Sequence, residues 1–473
     1  MKFVFRIILV LVSGSLLFLC FPPFGWWPLV IVSLTALFAA VTNTTSSRAF
    51  YLGMLQGIVG YGIALHWFFH VVGIAAIPLF FILAFFTAVF CMLYNCIARW
   101  SHSPYFVALV AGTLWTAIEF YRSELFFLRF PWITPGTALG PTLLSPVFGV
   151  YAVSFIVAAA SAALIRRRTL PLAAALCVLF LLLGIFKPGE VNPAGENAIN
   201  VTLIQREASR LQDYLELTRD AQDPEPDLIV WPEYAIPYDV RKREEKFNQL
   251  TELCAETGAV LVTGTKTESG DSNDSGWRNT ALVVDENGVI GEYYKARPVH
   301  FMNDGIPGRS FEPIDSDIGA LATPICFDCD YTTVTRRMAD LGAEYFAVPS
   351  FDAVSWGRTQ HLQHAVLFRL RAAENGRWLA CAASSGVSQI IDPHGNVHKR
   401  LPPLKTGTLT YTIFPEEDKT IFTKGGWLFP WAAMAGAVVI LAYAGLSRVL
   451  ESRKGVSHQS PSFSEASQRE RVE

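Results

Sequence analysis

Three side chains that could run acyl transfer stand at the ends of predicted strands in the second half of the chain. Glu233 closes "LIVWPE", Lys295 closes "GEYYK" and Cys326 closes "LATPIC"; strand ends are where α/β folds commonly build their sites. A carboxylate can take the thiol proton, the thiolate can attack a carbonyl, and an ammonium group can steady the oxyanion that forms. The spacing predicts a helix directly after Cys326, with Asp330 as its N-cap, and such a helix lowers the thiol pKa.

The stretch "ATPICFDCDY" permits two rival chemistries, because Cys329 stands three residues after Cys326. With His361 and His364 of "HLQH" the pair makes a formal Cys2His2 zinc set. A Cys-x-x-Cys at a helix start is also the setting of a redox pair. Against the first, His364 orients or packs in a helix; against the second, the surrounding chain is no compact βαβ redox domain. Cys20, Cys91, Cys96 and Cys177 fall in apolar segments, where cysteine packs as a small hydrophobe.

The elements that must position the trio alternate in type. Strands are expected at "AINVTLIQ", "DLIVWPE", "AVLVTGT", "LATPICFD", "EYFAVPS" and "WLACAAS", with hairpins at Asn287-Gly288 and around "DPHGN". Helices are expected near 240–256, 331–342 and 359–375. Residues 195–416 thus read as one α/β domain.

The rest of the 473-residue chain is oily: 51% hydrophobic, 13% aromatic, only 17% charged, with positive mean hydropathy. Net charge is −3 without a basic stripe, which argues against nucleic-acid binding. Apolar runs at 7–21, 26–42, 50–70, 72–97, 104–121, 143–165, 169–187 and 427–447 approach the ~20 residues a spanning helix needs. They predict a bundle of about seven spans over 1–187, an eighth span at 427–447, and a disordered polar tail over 448–473. "FPPFGWWP" reads as a tight hairpin. If every run spans, Lys2, Arg6, Arg48, Arg99, Arg166–Arg168, Arg448, Arg453 and Lys454 fall on one side. By the positive-inside rule that side is cytoplasmic, with both termini, and residues 188 to about 425 lie outside. Arg122 and Arg129 are exceptions, to be explained by function or by pairing with Glu119 or Glu124. Glu119 and His66 are intramembrane ionisable groups, without the repeated halves a transporter would carry.

Together the segments "SLLFLCFPPFGWWPL", "FPWITPGTALG", "SPVFGVYAVSF", "LIVWPEYAIP", "GEYYKARPVHF", "PICFD" and "RAAENGR" resemble, in order, the apolipoprotein N-acyltransferase family. The resemblance runs over about residues 10 to 445 and implies a multi-span bundle joined to a nitrilase-like α-β-β-α sandwich in a bacterial inner membrane. It implies a cysteine that takes an acyl group from a phospholipid as a thioester. The acceptor it implies is the α-amine of a diacylglyceryl-cysteine at a lipoprotein's N-terminus, with no cofactor and no metal. Carried over, Cys326 is the nucleophile, Glu233 the general base and Lys295 the oxyanion-stabilising cation, with Asn303, Asp304, Asp328, His364 and Glu374 supporting them or facing substrate. Three stretches depart from the family's pattern. A glutamate eight residues after the lysine is here Asn303, with Asp304 next door as a substitute. Cys-Tyr-Glu becomes "CFD", changing Phe327 and Asp328, and Ser-Asn-Asp becomes "SFD", placing Phe351 in the wall. The departures leave open a membrane-anchored nitrilase-type enzyme with another acceptor, and a non-catalytic lipid- or lipoprotein-binding descendant.

Overall fold

The computed structural model describes residues 3–191, 197–207, 210–221, 223–269, 276–300 and 302–457. Lys2 and residues 458–473 of the expected tail lie outside them. The apolar runs fold as the helices Phe3–Leu19, Leu29–Val41, Ser46–Ala64, Ala76–Trp100, Pro104–Phe120, Val150–Ala163, Leu170–Ile185 and Phe429–Ser457. Among the described residues three apolar helical stretches, Phe68–Trp100, Arg167–Ile185 and Gly426–Leu450, are long enough to cross a membrane. The last helix continues past the expected boundary at 447 to Ser457, because "SRVLESRK" holds good helix formers and no breaker.

Helix ends alternate between two ends of this bundle. At one end Gln363 of the α/β domain donates to Pro22 O and Ala64 O, both at 3.2 Å, and Val191 N donates to Asp392 Oδ2 at 3.0 Å. At the other, Arg6 Nη1 donates to Thr42 O at 2.8 Å and Arg448 Nη2 to Cys96 O at 2.7 Å.

The α/β domain stacks two six-stranded sheets. The first has the order β12-β1-β2-β3-β4-β5, from β1 (Ile199–Gln205), β2 (Leu228–Val230), β3 (Val260–Glu268), β4 (Trp277–Asp285), β5 (Gly288–Tyr294) and β12 (Gly407–Ile413). The second, β11-β10-β9-β8-β7-β6, uses β6 (Ile314–Ser316), β7 (Gly319–Ala322), β8 (Tyr345–Ser350), β9 (Trp378–Ala383), β10 (Gln389–Ile391) and β11 (Val397–Arg400). Side chains alternate as a pleated strand requires. Val260, Val262, Ala281 and Val283 enter the core between the sheets. Leu261, Leu282 and Val284 face outward and pack with Leu250 and Leu253 of the helix Glu244–Thr257. The expected hairpins at Asn287-Gly288 and around "DPHGN" appear in this arrangement as the pairs β4–β5 and β10–β11.

The helix Gly357–Asn375 is shared. Phe368 and Ala372 join the sandwich core, while Leu367 and Leu370 join the bundle core. Two carboxylates lock the same junction by capping helices across it. Glu124 of the bundle accepts from Thr332 N at 2.9 Å and Thr332 Oγ1 at 2.7 Å, at the start of the helix Thr332–Asp340. Glu374 of the α/β domain accepts from Val150 N at 2.9 Å, at the start of a bundle helix. A carboxylate at a helix N-terminus satisfies an orphan N–H and meets the positive end of the helix dipole.

The expected ion pairs of Arg122 are not formed. Its guanidinium donates to Tyr61 OH at 2.9 Å and Trp132 O at 3.2 Å. Glu119 instead accepts from Ser154 Oγ at 2.7 Å and Trp115 Nε1 at 2.8 Å. His66, the other intramembrane candidate, is exposed, with Nδ1 3.0 Å from Ile63 O.

Candidate active site

Glu233 follows β2 on a loop pressed against β3. Trp231 N donates to Val262 O at 2.8 Å, and Gly264 N to Pro232 O at 3.2 Å; a Cβ at Gly264 would collide with the Glu233 backbone. Lys295 leaves β5 beside β4, where its N–H donates to Asn279 O at 2.9 Å. Cys326 leaves the second sheet after β7 and sits at φ +47°, a conformation uncommon for a residue with a Cβ and costing on the order of 1–3 kcal/mol.

The three meet in a nearly sealed pocket. Glu233 is 2%, Lys295 1% and Cys326 6% exposed, so the side chains address one another and not bulk water. Glu233 Oε1 accepts from Lys295 Nζ at 2.8 Å, and Oε2 accepts from Phe351 N at 2.9 Å. The carbonyl of that same Phe351 lies 3.6 Å from Cys326 Sγ and accepts from the thiol. Residue 351 thus ties base and thiol through its backbone, and the change to phenylalanine leaves that link in place.

Asp304 completes the set. Its Oδ2 lies 2.8 Å from Lys295 Nζ and accepts from Val299 N at 2.8 Å; its Oδ1 accepts from Tyr234 OH. Asn303, by contrast, is exposed, so the adjacent aspartate supplies the carboxylate beside the lysine. Asn279 and Tyr234 were not singled out by sequence. Asn279 Nδ2 lies 2.6 Å from Glu233 Oε1 and 2.8 Å from both Asp304 Oδ1 and Tyr234 OH. A polar residue at an inward β4 position, in "RNTALVV", is the signal that could have found it.

The charges of this group are split in a useful way. Burial raises the Glu233 pKa, with Asp304 adding to the rise and Lys295 opposing it. For Asp304 burial is outweighed by Lys295 and the hydrogen bonds, which hold its carboxyl below the usual range. Lys295 stays firmly cationic, because Asp304 and Glu233 overcome its burial. Two carboxylates pushed apart in this way can divide the work, one holding charge and one moving a proton.

The segment after Cys326 departs from the expected helix and its cap. Residues Cys326–Asp330 form a 3-10 turn, and the helix starts only at Thr332. Asp330 is therefore not its N-cap, and the thiol is not acidified by a helix. Burial first, and then Glu233, push the Cys326 pKa well above its ordinary value, with Lys295 opposing. A thiol in this setting rests neutral and needs a base. Cys329, also a free thiol, is fully buried in the sandwich core.

Asp328 is a brace. It accepts from Tyr293 OH at 2.8 Å, Ala296 N at 3.3 Å, Arg297 N at 2.7 Å and Ile325 N at 3.1 Å. Those bonds pin the Lys295 strand end to the Cys326 turn, and burial lifts the Asp328 pKa to about 6.

His364 and Glu374 lie at the junction with the bundle, not beside the thiol. His364 Nδ1 is 2.8 Å from Asp352 Oδ1 and Nε2 is 3.2 Å from Asp330 Oδ1. Burial works to lower its pKa, but Asp352 and Asp330 outweigh that and lift it to about 10. Trp132 of the bundle stacks on it at 5.5 Å and donates Nε1 to Asp330 Oδ2 at 2.6 Å. His361 Nε2 lies 3.0 Å from Ala353 O, so the two histidines of the Cys2His2 alternative are engaged elsewhere. Glu374 pairs with Arg371 at 2.8 Å, and burial lifts its pKa to about 7.

Residues 13–163 match the model of the apolipoprotein N-acyltransferase N-terminal domain, and residues 202–417 match that of the carbon-nitrogen hydrolase. The chain is 29% identical to the apolipoprotein N-acyltransferase of Pseudomonas aeruginosa (strain LESB58), over 93% of this chain and 95% of the relative. The enzyme of that name from Geobacter metallireducens is 26% identical over 96% of each chain. A Saccharomyces cerevisiae member of branch 10 of the nitrilase superfamily is 22% identical, covering 47% of this chain and 92% of that one, with TM-score 0.39. Apolar helices joined to a carbon-nitrogen hydrolase domain define the class. Within it, the chain is similar over nearly its whole length to the apolipoprotein N-acyltransferases.

Proposed function

We propose that the protein transfers a fatty acyl group from a phospholipid to the α-amine of a lipoprotein's N-terminal diacylglyceryl-cysteine, through a thioester on Cys326. The observation that carries this reading is the Phe351 junction, whose N–H holds Glu233 and whose carbonyl holds the Cys326 thiol, next to Lys295. The names of the relatives support lipoprotein N-acylation.

In the first half-reaction Glu233 takes the thiol proton and the thiolate attacks the donor's ester carbonyl. Lys295 stabilises the oxyanion as the tetrahedral adduct forms. Its collapse breaks the ester C–O bond, leaves the acyl thioester, and releases the lysophospholipid oxygen, which regains the proton from Glu233. In the second, the neutral α-amine attacks the thioester, Glu233 accepts the amine proton, and the C–S bond breaks to give amide and thiol. The raised Glu233 pKa suits a group that gains and returns a proton in each half.

A phospholipid donor is supported by a second set of groups. Arg129 and Arg297 flank His300, whose pKa is lowered by partial burial and then by the two guanidiniums. The Nε of each arginine is buried without a hydrogen-bond partner among the described residues. They offer a phosphate the charge and donors it needs.

The same reading takes the eight apolar helices as spans, with both termini cytoplasmic and the catalytic domain outside, in a bacterial inner membrane. Its support is the clustering of Arg48, Arg99, Arg166–Arg168 and Arg448 at the bundle end away from the α/β domain. Incubation with a defined phospholipid and a diacylglyceryl-cysteine peptide tests the activity. N-acylated peptide by mass spectrometry, absent with Cys326→Ser, is expected; equal acyl release to water or small amines would point to the other-acceptor reading instead.

A further inference from the structure

At the bundle end away from the catalytic domain lies a cavity of about 430 Å³. Arg99, His102, Arg166, Arg167 and Arg168 line it, with Tyr94 at its inner wall and an apolar floor that includes Val107. Arginines at helix ends on a cytoplasmic face are ordinary topological markers. What is not ordinary is that four of them surround one concave space with no carboxylate in its lining among the described residues. Between residues 1 and 187 the carboxylates are Glu119 and Glu124. Glu119 is held by Ser154 and Trp115 inside the bundle, and Glu124 by Thr332 at the opposite end.

The arginine run is anchored through its backbone. Thr169 Oγ1 donates to Ala163 O at 2.7 Å and Arg166 O at 2.9 Å, closing the turn between the helices Val150–Ala163 and Leu170–Ile185. Tyr105 OH donates to Arg168 O at 2.8 Å and ties that turn to the neighbouring helix. Arg448 approaches from the last helix, donating to Cys96 O. All of these anchors use carbonyl oxygens, so they bring no negative charge to the cavity.

We propose that this cavity is a binding site for the phosphate headgroup of an anionic phospholipid in the leaflet opposite the catalytic domain. Guanidiniums suit phosphodiester oxygens as paired donors, and the apolar floor suits the glycerol end and the first methylenes. Basic pockets between spanning helices are a recurrent way of holding anionic lipids. The site is separate from the donor site beside Cys326 and serves to seat the bundle.

The test is thermal unfolding of the full-length protein in neutral detergent, titrated with phosphatidylglycerol, phosphatidylcholine or inorganic phosphate. Phosphatidylglycerol is expected to raise Tm where the other two do not. The triple variant Arg166→Gln, Arg167→Gln, Arg168→Gln is expected to raise the lipid concentration needed for that response about tenfold or more, because it removes three cations from around the headgroup. Val107→Trp, which keeps every charge and fills the floor, is expected to blunt the response as well, and it decides the matter if the triple variant does not fold. Equal shifts from the two lipids, a full shift from inorganic phosphate, or an unchanged response in Val107→Trp overturns the proposal. Running the titration on Cys326→Ser protein too makes the readout independent of acyl transfer.

Discussion

Two buried cations flank the segment that carries Cys326, and each sits between two carboxylates. Lys295 lies between Glu233 and Asp304, both at 2.8 Å; His364 lies between Asp352 at 2.8 Å and Asp330 at 3.2 Å. The patterns match and the uses differ. Around Lys295 one carboxylate is pushed up and the other held down, and a neutral thiol stands within their field. Around His364 the pair is answered by a bundle tryptophan on Asp330. The first group has the arrangement to move a proton; the second fastens the α/β domain to the apolar helical bundle. Buried charge, the contrast teaches, becomes reactive only where one acid has its charge already balanced and another does not.

The contrast breaks most severely at the thiol and its base. Cys326→Ser, with unchanged melting by circular dichroism, is expected to abolish acyl transfer, on the order of ten-thousand-fold or more, and Glu233→Gln to cost roughly a hundred- to ten-thousand-fold. Asp304→Asn is expected to cost about a hundredfold in kcat/KM. Because Asp304 raises the Glu233 pKa, its removal lowers that pKa. The acid limb of the pH–rate profile therefore moves to lower pH, which a profile of wild type against variant measures.

The junction group is expected to answer in stability first. Trp132→Phe leaves Asp330 short of a donor and costs about 1–3 kcal/mol, read from thermal melts. For His364 the folded pKa of about 10 stands above the ordinary 6.5. Its contribution is then complete below about pH 6.5 and is lost as pH rises through about 10. The wild-type Tm is expected to fall across that window, and His364→Gln to remove this part of the slope. The smallest effect is expected at one of the positions that depart from the family's pattern: Asn303→Glu, exposed beside the buried Asp304, changes kcat by no more than about twofold.

Some of this was legible in the chain and some could not be. Glu233, Lys295 and Cys326 could be singled out because each follows a short β-type run, and the chain after β2, β5 and β7 converges in the stacked sheets. The capping pair Glu124 and Glu374 was not, since each acts on a helix more than two hundred residues away. The Phe351 backbone belongs to the same class, since its role exists only once β8 has been brought to the pocket, whereas Asn279 left a trace as a polar residue at an inward β4 position. The helix start was misread because "CFDCDY" offers plausible caps at two places, and Asp328 and Asp330 were taken up by tertiary partners instead. Arg122 escaped for a similar reason, finding a phenol and a carbonyl where an acid was expected.

The central claim, that Cys326 carries the acyl group, is tested most directly by the mass of its peptide after incubation with a phospholipid of one defined chain, with and without hydroxylamine. A mass increase equal to that acyl chain, located on Cys326 and removed by hydroxylamine, is the predicted result. An unmodified Cys326 in folded, donor-saturated protein, or an acyl group on Cys329 instead, would contradict it.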